Sequence, residues 1–227
     1  MTVEKSMRFG VGDAGEVSAI FLRPADARCL LVLAHGAGAG MRHSFMEEMA
    51  EELVGAGVAT LRFNFPYMEQ RRKVPDRAPV PTEAVLAAVR AAAEAAPDLP
   101  LFAGGKSYGG RMTSQAAAGT SMANVRGLVF FGFPLHPPDQ PSTKRAEHLA
   151  RVKLPMLFLQ GTRDKLADLS LLRPICAKLG SRATLHILET ADHSFHVLKS
   201  SGKTDAEVMR EMARTVGDWT DKIIRQD

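Results

Sequence analysis

The chain has 227 residues, a formal net charge of +4, 45% hydrophobic residues and 24% charged residues. These are the values of a soluble globular chain with one sizeable core, and they exclude disordered, collagen-like and membrane-embedded classes. No apolar run is long enough to cross a bilayer. No apolar stretch follows the charged residues of Met1 to Arg8 as a signal peptide requires, so a cytoplasmic protein is expected.

The first segments read as strands, Met7 to Val11 and Val17 to Leu22, separated by the turn signal Gly12-Asp13. Cys29 to Ala34 is continuously apolar, as a strand of a parallel sheet buried on both faces must be. Ser44 and Glu47 have capping-box spacing and predict a helix through Val54, closed by Gly55 and Gly57. Val58 to Phe63 predicts the next strand, and Asn64 to Pro79 a loop carrying Tyr67, Met68 and the basic run Arg71-Arg72-Lys73. That run lacks interleaved aromatics and fits no nucleic-acid-binding motif, so a solvated loop is expected there and no nucleic-acid partner.

Pro81 to Ala95 is alanine-rich and helical, Leu101 to Gly104 a short strand, Arg111 to Ala118 a short helix and Val125 to Phe133 a buried strand. A helix is expected around Lys144 to Leu149, a strand over Met156 to Gln160, a helix over Leu169 to Leu179 and a last strand over Thr184 to Leu188. Thr204 and Glu207 repeat the capping-box spacing before a long helix, in which Met209, Met212, Val216, Trp219 and Ile223 form one apolar stripe. Strands followed by repeated strand–helix units imply an α/β fold, a mostly parallel twisted sheet of about eight strands with helices on both faces, in a single domain over 1–227. Cys29 and Cys176 sit inside apolar segments and predict buried thiols. No metal or cofactor site is indicated.

Ligands of such sheets bind beyond the carboxyl ends of the strands, so residues just after strands carry the chemistry. Gly105-Lys106-Ser107-Tyr108-Gly109 is a G-x-S-x-G pentapeptide between a strand and a helix-compatible segment. Such a turn exposes the serine oxygen and leaves no room for side chains at its glycines, which makes Ser107 the candidate nucleophile. A serine hydroxyl needs a base. His193 follows the last strand and is the first choice, with His196 as an alternative. Asp164, in a G-x-x-D turn after the Met156 strand, is the carboxylate expected to orient it, with Asp168 as the fallback. Asp192 adjoins His193 and is expected to point away from it. Oxyanion donors are expected at the Tyr108 N–H and in the His35-Gly36-Ala37-Gly38 turn, at Ala37 before Gly38, with His35 orienting that loop. The chain order Ser107, Asp164, His193 is that of α/β-hydrolases and differs from the chymotrypsin and subtilisin orders.

With these residues in place the sequence resembles the α/β-hydrolase superfamily over nearly its whole length, and more narrowly its dienelactone-hydrolase-like branch. His35 to Gly38, Phe63 to Met68, Gly104 to Arg111 and Phe133 to Pro138 carry the closer match. They are similar to small hydrolase-like proteins that include a subunit of a chromatin-modifying acetyltransferase complex. The resemblance implies an eight-stranded sheet and a serine hydrolase or esterase. Dienelactone hydrolases use a cysteine nucleophile, so their substrate does not carry over to a chain with Ser107. About twenty residues separate Phe133 from Met156, too few for a cap domain. A shallow pocket is expected, bounded by Tyr67, Met68, Lys106 and Leu135-His136, for a small-molecule acyl substrate. Lys106 and Arg111 flank the nucleophile, which fits either an anionic ester or a local role in which Lys106 tucks into hydrogen bonds and Arg111 pairs with a nearby acid. Acyl transfer through the same triad and a silent scaffold for protein binding are the alternatives, and a homodimer is compatible with the sequence.

Overall fold

The computed structural model describes residues 1–122 and 124–226. Its centre is one eight-stranded sheet in the order β1-β2-β4-β3-β5-β6-β7-β8. β1 (Thr2–Gly10) and β2 (Glu16–Pro24) form an antiparallel pair, and β2 also pairs antiparallel with β4 (Val58–Phe63). The remaining neighbours are all parallel: β3 (Cys29–Ala34), β4, β5 (Leu101–Lys106), β6 (Val125–Phe131), β7 (Met156–Gly161) and β8 (Ala183–Leu188). β4 lies on one side of β3 and β5 on the other, so the strand order reverses there. The crevice beyond the carboxyl ends of β3 and β5 is therefore the place for a ligand.

The alternation of β3 shows how the core is divided. Leu30, Val32 and Ala34 join the apolar layer under α3 (Val80–Ala95), α4 (Tyr108–Gly119) and α5 (Leu169–Leu179). Cys29, Leu31 and Leu33 face the opposite layer under α1 (Ser44–Gly55) and α6 (Asp205–Ile224). Every residue of β3 and β4 is buried, which is why β3 reads as a continuous apolar run; β4 also buries Thr60 and Arg62. The α6 stripe packs inward through Met209, Met212, Val216 and Trp219, with Ile223 at its margin. Cys29 and Cys176 are free and buried. Among the described residues no helix is long and apolar enough to cross a membrane.

Several element ends differ from the sequence reading, each for a local reason. β1 begins at Thr2 and not near Met7, because pairing with β2 extends a strand whose outward side is exposed. The N-cap of α1 is His43, whose Nδ1 accepts from the Phe45 N–H at 3.3 Å; Ser44 is already helical and forms no capping box. The 64–79 segment contains the short helix α2 (Pro66–Glu69), opened by a proline at its first position. Lys144–Arg151 is 3-10 helix. α4 starts at Tyr108, through Gly109 and Gly110, whose poor helix propensity is overridden by the close packing described below.

The capping box of α6 does form: Thr204 Oγ1 accepts from the Glu207 N–H at 3.2 Å, and Glu207 Oε2 accepts from the Thr204 N–H at 2.7 Å. Thr204→Ala is expected to lower unfolding free energy by about 1 kcal/mol, read from a urea titration, with an unchanged denaturant slope.

Candidate active site

Gly104 and Gly105 lie near the end of β5 between neighbouring strands, and a Cβ at Gly105 or Gly109 would run into the Ala34 carbonyl. The backbone at the end of β5 and the start of α4 is thus pressed against the end of β3. Ser107 sits at the bend with φ 50° and ψ −113°, a conformation costly for any residue with a Cβ. Its N–H donates to the Phe131 carbonyl at 3.1 Å, and its own carbonyl accepts from the Arg111 N–H at 3.1 Å, so the turn is held from both sides.

His193, in the loop after β8, places Nε2 2.8 Å from Ser107 Oγ and Nδ1 2.7 Å from Asp164 Oδ2. Asp164 follows β7, and its side chain is 1% exposed. Its Oδ1 accepts from the Leu166 N–H at 2.8 Å, and its Oδ2 accepts from Gln160 Nε2 at 2.5 Å. With the carboxylate accepting throughout, Nδ1 of His193 carries the proton and Nε2 is left to accept from the serine hydroxyl. The two loops meet because a Cβ at Gly161 would strike the Ala191 carbonyl, and because the Arg163 N–H donates to that carbonyl at 2.9 Å.

The alternatives lie elsewhere. His196 pairs with Asp205 at 2.7 Å on the surface, and this bond raises its pKa. Asp168 caps α5 through the Ser170 N–H at 2.8 Å. Asp192 accepts from the Ser194 and His196 N–H groups and faces away from the His193 ring.

Gln160 was not anticipated. It is fully buried, and its Oε1 accepts from the Phe133 N–H at 3.0 Å while its amide holds Asp164. The only signal in the sequence is a lone polar residue closing the apolar run Leu157-Phe158-Leu159, four positions before Asp164.

The turn after β3 rests on the segment after β4. His35 is buried; its Nδ1 lies 2.7 Å from the Gly36 carbonyl, and its Nε2 accepts from the Phe65 N–H at 3.1 Å. Burial pushes its pKa down to about 4, so it stays neutral and keeps both bonds. Tyr67 is also fully buried, and its hydroxyl accepts from the Gly38 N–H at 2.9 Å. Gly38 is thereby committed, whereas Ala37 is exposed on the cavity wall. The Tyr108 N–H opens α4, where first-turn donors have no intrahelical acceptor.

Beside Ser107 and His193 lies a cavity of about 780 Å³. Its apolar wall is Phe45, Met46, Leu166, Phe195 and Met209, and its polar rim is His43, Glu48, His196 and Asp205. Lys106 lines it. Tyr67, Met68 and His136 do not: the cavity runs toward α1 and α6, away from α2. Met68 packs beside the core at Gly40, and His136 is buried, with Nε2 accepting from the Asp168 N–H at 3.1 Å. These residues shape the loops and not the cavity wall. Among the described residues no three His, Cys, Asp or Glu side chains gather to hold a metal ion.

A family model described as an alpha/beta hydrolase domain matches residues 27–221. The chain belongs to the α/β-hydrolase family. Solved structures of the same fold include a dienelactone hydrolase from Anabaena variabilis, at 21% identity and a TM-score of 0.73, with 96% of each chain covered. A serine hydrolase homologue from Coxiella burnetii is 19% identical with a TM-score of 0.73, covering 93% of this chain and 96% of that one. An α/β serine hydrolase without a lid from Xanthomonas campestris is 18% identical with a TM-score of 0.70, covering 93% and 94%. At these identities the likeness is one of fold. As an α/β-hydrolase, the chain runs from β6 to β7 through a loop and the Lys144–Arg151 helix alone.

Two outcomes follow from the buried polar groups. Gln160→Met removes one donor from a buried carboxylate and strands the Phe133 N–H, so unfolding free energy should fall by about 2 kcal/mol in urea titrations. His35 and His148 are both held near pKa 4, chiefly by burial, against 6.5 for free histidine. Below pH 6.5 the unfolded chain takes up protons that the folded chain refuses until about pH 4, so stability falls as pH drops through this window. In His148→Gln, whose amide can still bond Ser114, the loss of urea midpoint between pH 7.5 and 5 should be visibly smaller than in the unaltered protein.

Proposed function

We propose that this α/β-hydrolase is a serine esterase that cleaves a small carboxylic ester through an acyl-enzyme. The carrying observation is the unbroken chain from Ser107 Oγ to His193 Nε2 at 2.8 Å and from His193 Nδ1 to Asp164 Oδ2 at 2.7 Å, opening onto a cavity. The serine-hydrolase names of the Coxiella and Xanthomonas structures support the same reading.

In this mechanism Ser107 Oγ attacks the ester carbonyl and its proton passes to His193 Nε2. Asp164 holds the imidazolium in place. The carbonyl oxygen becomes an oxyanion between the Ala37 and Tyr108 N–H groups, whose dipoles are fixed before the reaction begins. Collapse breaks the bond to the alcohol, which leaves with the His193 proton. A water then gives its proton to His193, attacks the acyl carbon and releases the acid with Ser107 restored. A cavity of about 780 Å³ is within the usual range for small-molecule sites, and Phe45, Met46 and Met209 favour an apolar acyl or alkyl group.

Labelling with a fluorophosphonate should give one adduct, on Ser107, that is absent in Ser107→Ala and slowed on the order of 10⁴-fold in His193→Ala. A folded, monodisperse sample that takes no label would leave the fold acting as a binding scaffold.

A further inference from the structure

Lys106 is the residue before the nucleophile, and it stands in the cavity wall without facing an anion site. Its ammonium donates to the backbone carbonyl of His193. It lies over the ring of Phe195 at 4.7 Å from the centroid and beside that of Phe45 at 5.6 Å, and these two rings are themselves stacked at 5.7 Å. Below it, Gly132 adopts φ 70°, and a Cβ there would come within 3.2 Å of the ammonium and 3.5 Å of the His193 ring. Three elements therefore close around the cation at the end of β5: the first turn of α1, the turn after β6 and the loop carrying His193.

We propose that Lys106 is a positioning residue that ties the backbone of His193 to the strand carrying Ser107, and that it does not bind the substrate. The proposal rests on the esterase reading above. The loop after β8 is also held by local bonds, such as the Phe195 N–H to the Asp192 carbonyl at 3.0 Å, by the Arg163 N–H to the Ala191 carbonyl at 2.9 Å, and by Asp205 of α6, which accepts from the Val197 N–H at 2.8 Å. None of these fixes the loop against β5. Lys106 does, because a charge-assisted bond between elements 87 residues apart sets the separation of Ser107 Oγ and His193 Nε2 directly.

The environment gives the tie a pH dependence. Burial pulls the Lys106 pKa down to about 8, against the partial support of Asp164 and Asp192. The other charged or titratable groups around the cavity are His193, His43, Glu48, His196 and Asp205. Above about pH 8 the ammonium becomes an amine, its bond to the carbonyl weakens and its attraction to the rings is lost.

The test compares Ser107 labelling rates and ester kinetics of the full chain with those of Lys106→Met and Phe45→Leu, each checked by thermal melting. In Lys106→Met the labelling rate and kcat should fall roughly 10- to 100-fold, equally for a neutral and an anionic ester, with KM unchanged. The rate of the unaltered protein should decline above about pH 8, and this alkaline limb should vanish in Lys106→Met. Phe45→Leu, which keeps the lysine but removes one ring, should move the limb about half a pH unit lower. A folded Lys106→Met that labels at the original rate overturns the proposal, as does a loss confined to KM for anionic esters. If Lys106→Met fails to fold, an unmoved limb in Phe45→Leu overturns it. A wild-type chain that takes no label refutes the esterase reading and the proposal together, whereas labelling indifferent to Lys106 refutes the proposal alone.

Discussion

The molecule is organised by the contact between the Ala34 carbonyl and the backbone of Gly105 and Gly109, which no side chain larger than hydrogen can permit. That contact brings the end of β5 and the start of α4 against the end of β3. It forces Ser107 into positive φ and sets the turn that begins at His35 beside the start of α4. The strain at Ser107 is sustained by two apolar layers packed on the two faces of the sheet, because a rigid surround is what prevents the turn from relaxing.

The arrangement around Asp164 and His193 rests chiefly on hydrogen bonds. Asp164 is buried and accepts from Leu166, Gln160 and His193. Removing water from a carboxylate is costly unless its lone pairs are filled, and here every partner also fixes a loop. Gln160 links Asp164 to Phe133 after β6, and Lys106 links His193 to β5. His35 and Tyr67 do the same for the turn after β3, taking the Phe65 and Gly38 N–H groups. The aromatic segment after β4 therefore supports that turn and does not line the cavity.

Much of this was legible in the residues. The buried strands showed as apolar runs and α6 as a stripe at helical spacing. Ser107, Asp164 and His193 each follow a strand in sequence, and the structure brings their side chains together. Element ends were less legible where pairing or close packing overrules local preference. β1 is extended by its partner strand, α4 starts through two glycines, and α1 is capped by a histidine that no capping rule favours. Tyr67, Met68 and His136 look like site residues in sequence because they follow strands at the right edge of the sheet. Which face of a loop meets the cavity depends on partners far away in the chain.

The sequence by itself determined the kind of sheet, its two covered faces and the placement of Ser107, Asp164 and His193 after three strands, because periodicity and turn chemistry are local. Only the tertiary structure decided the distances of 2.8 and 2.7 Å that join those residues, the direction of the cavity toward α1 and α6, and the commitment of Gly38 to Tyr67. It also decided that Lys106 bonds a backbone carbonyl 87 residues away. These outcomes rest on contacts between segments remote in sequence, and a local pattern carries no record of which donor will face which acceptor.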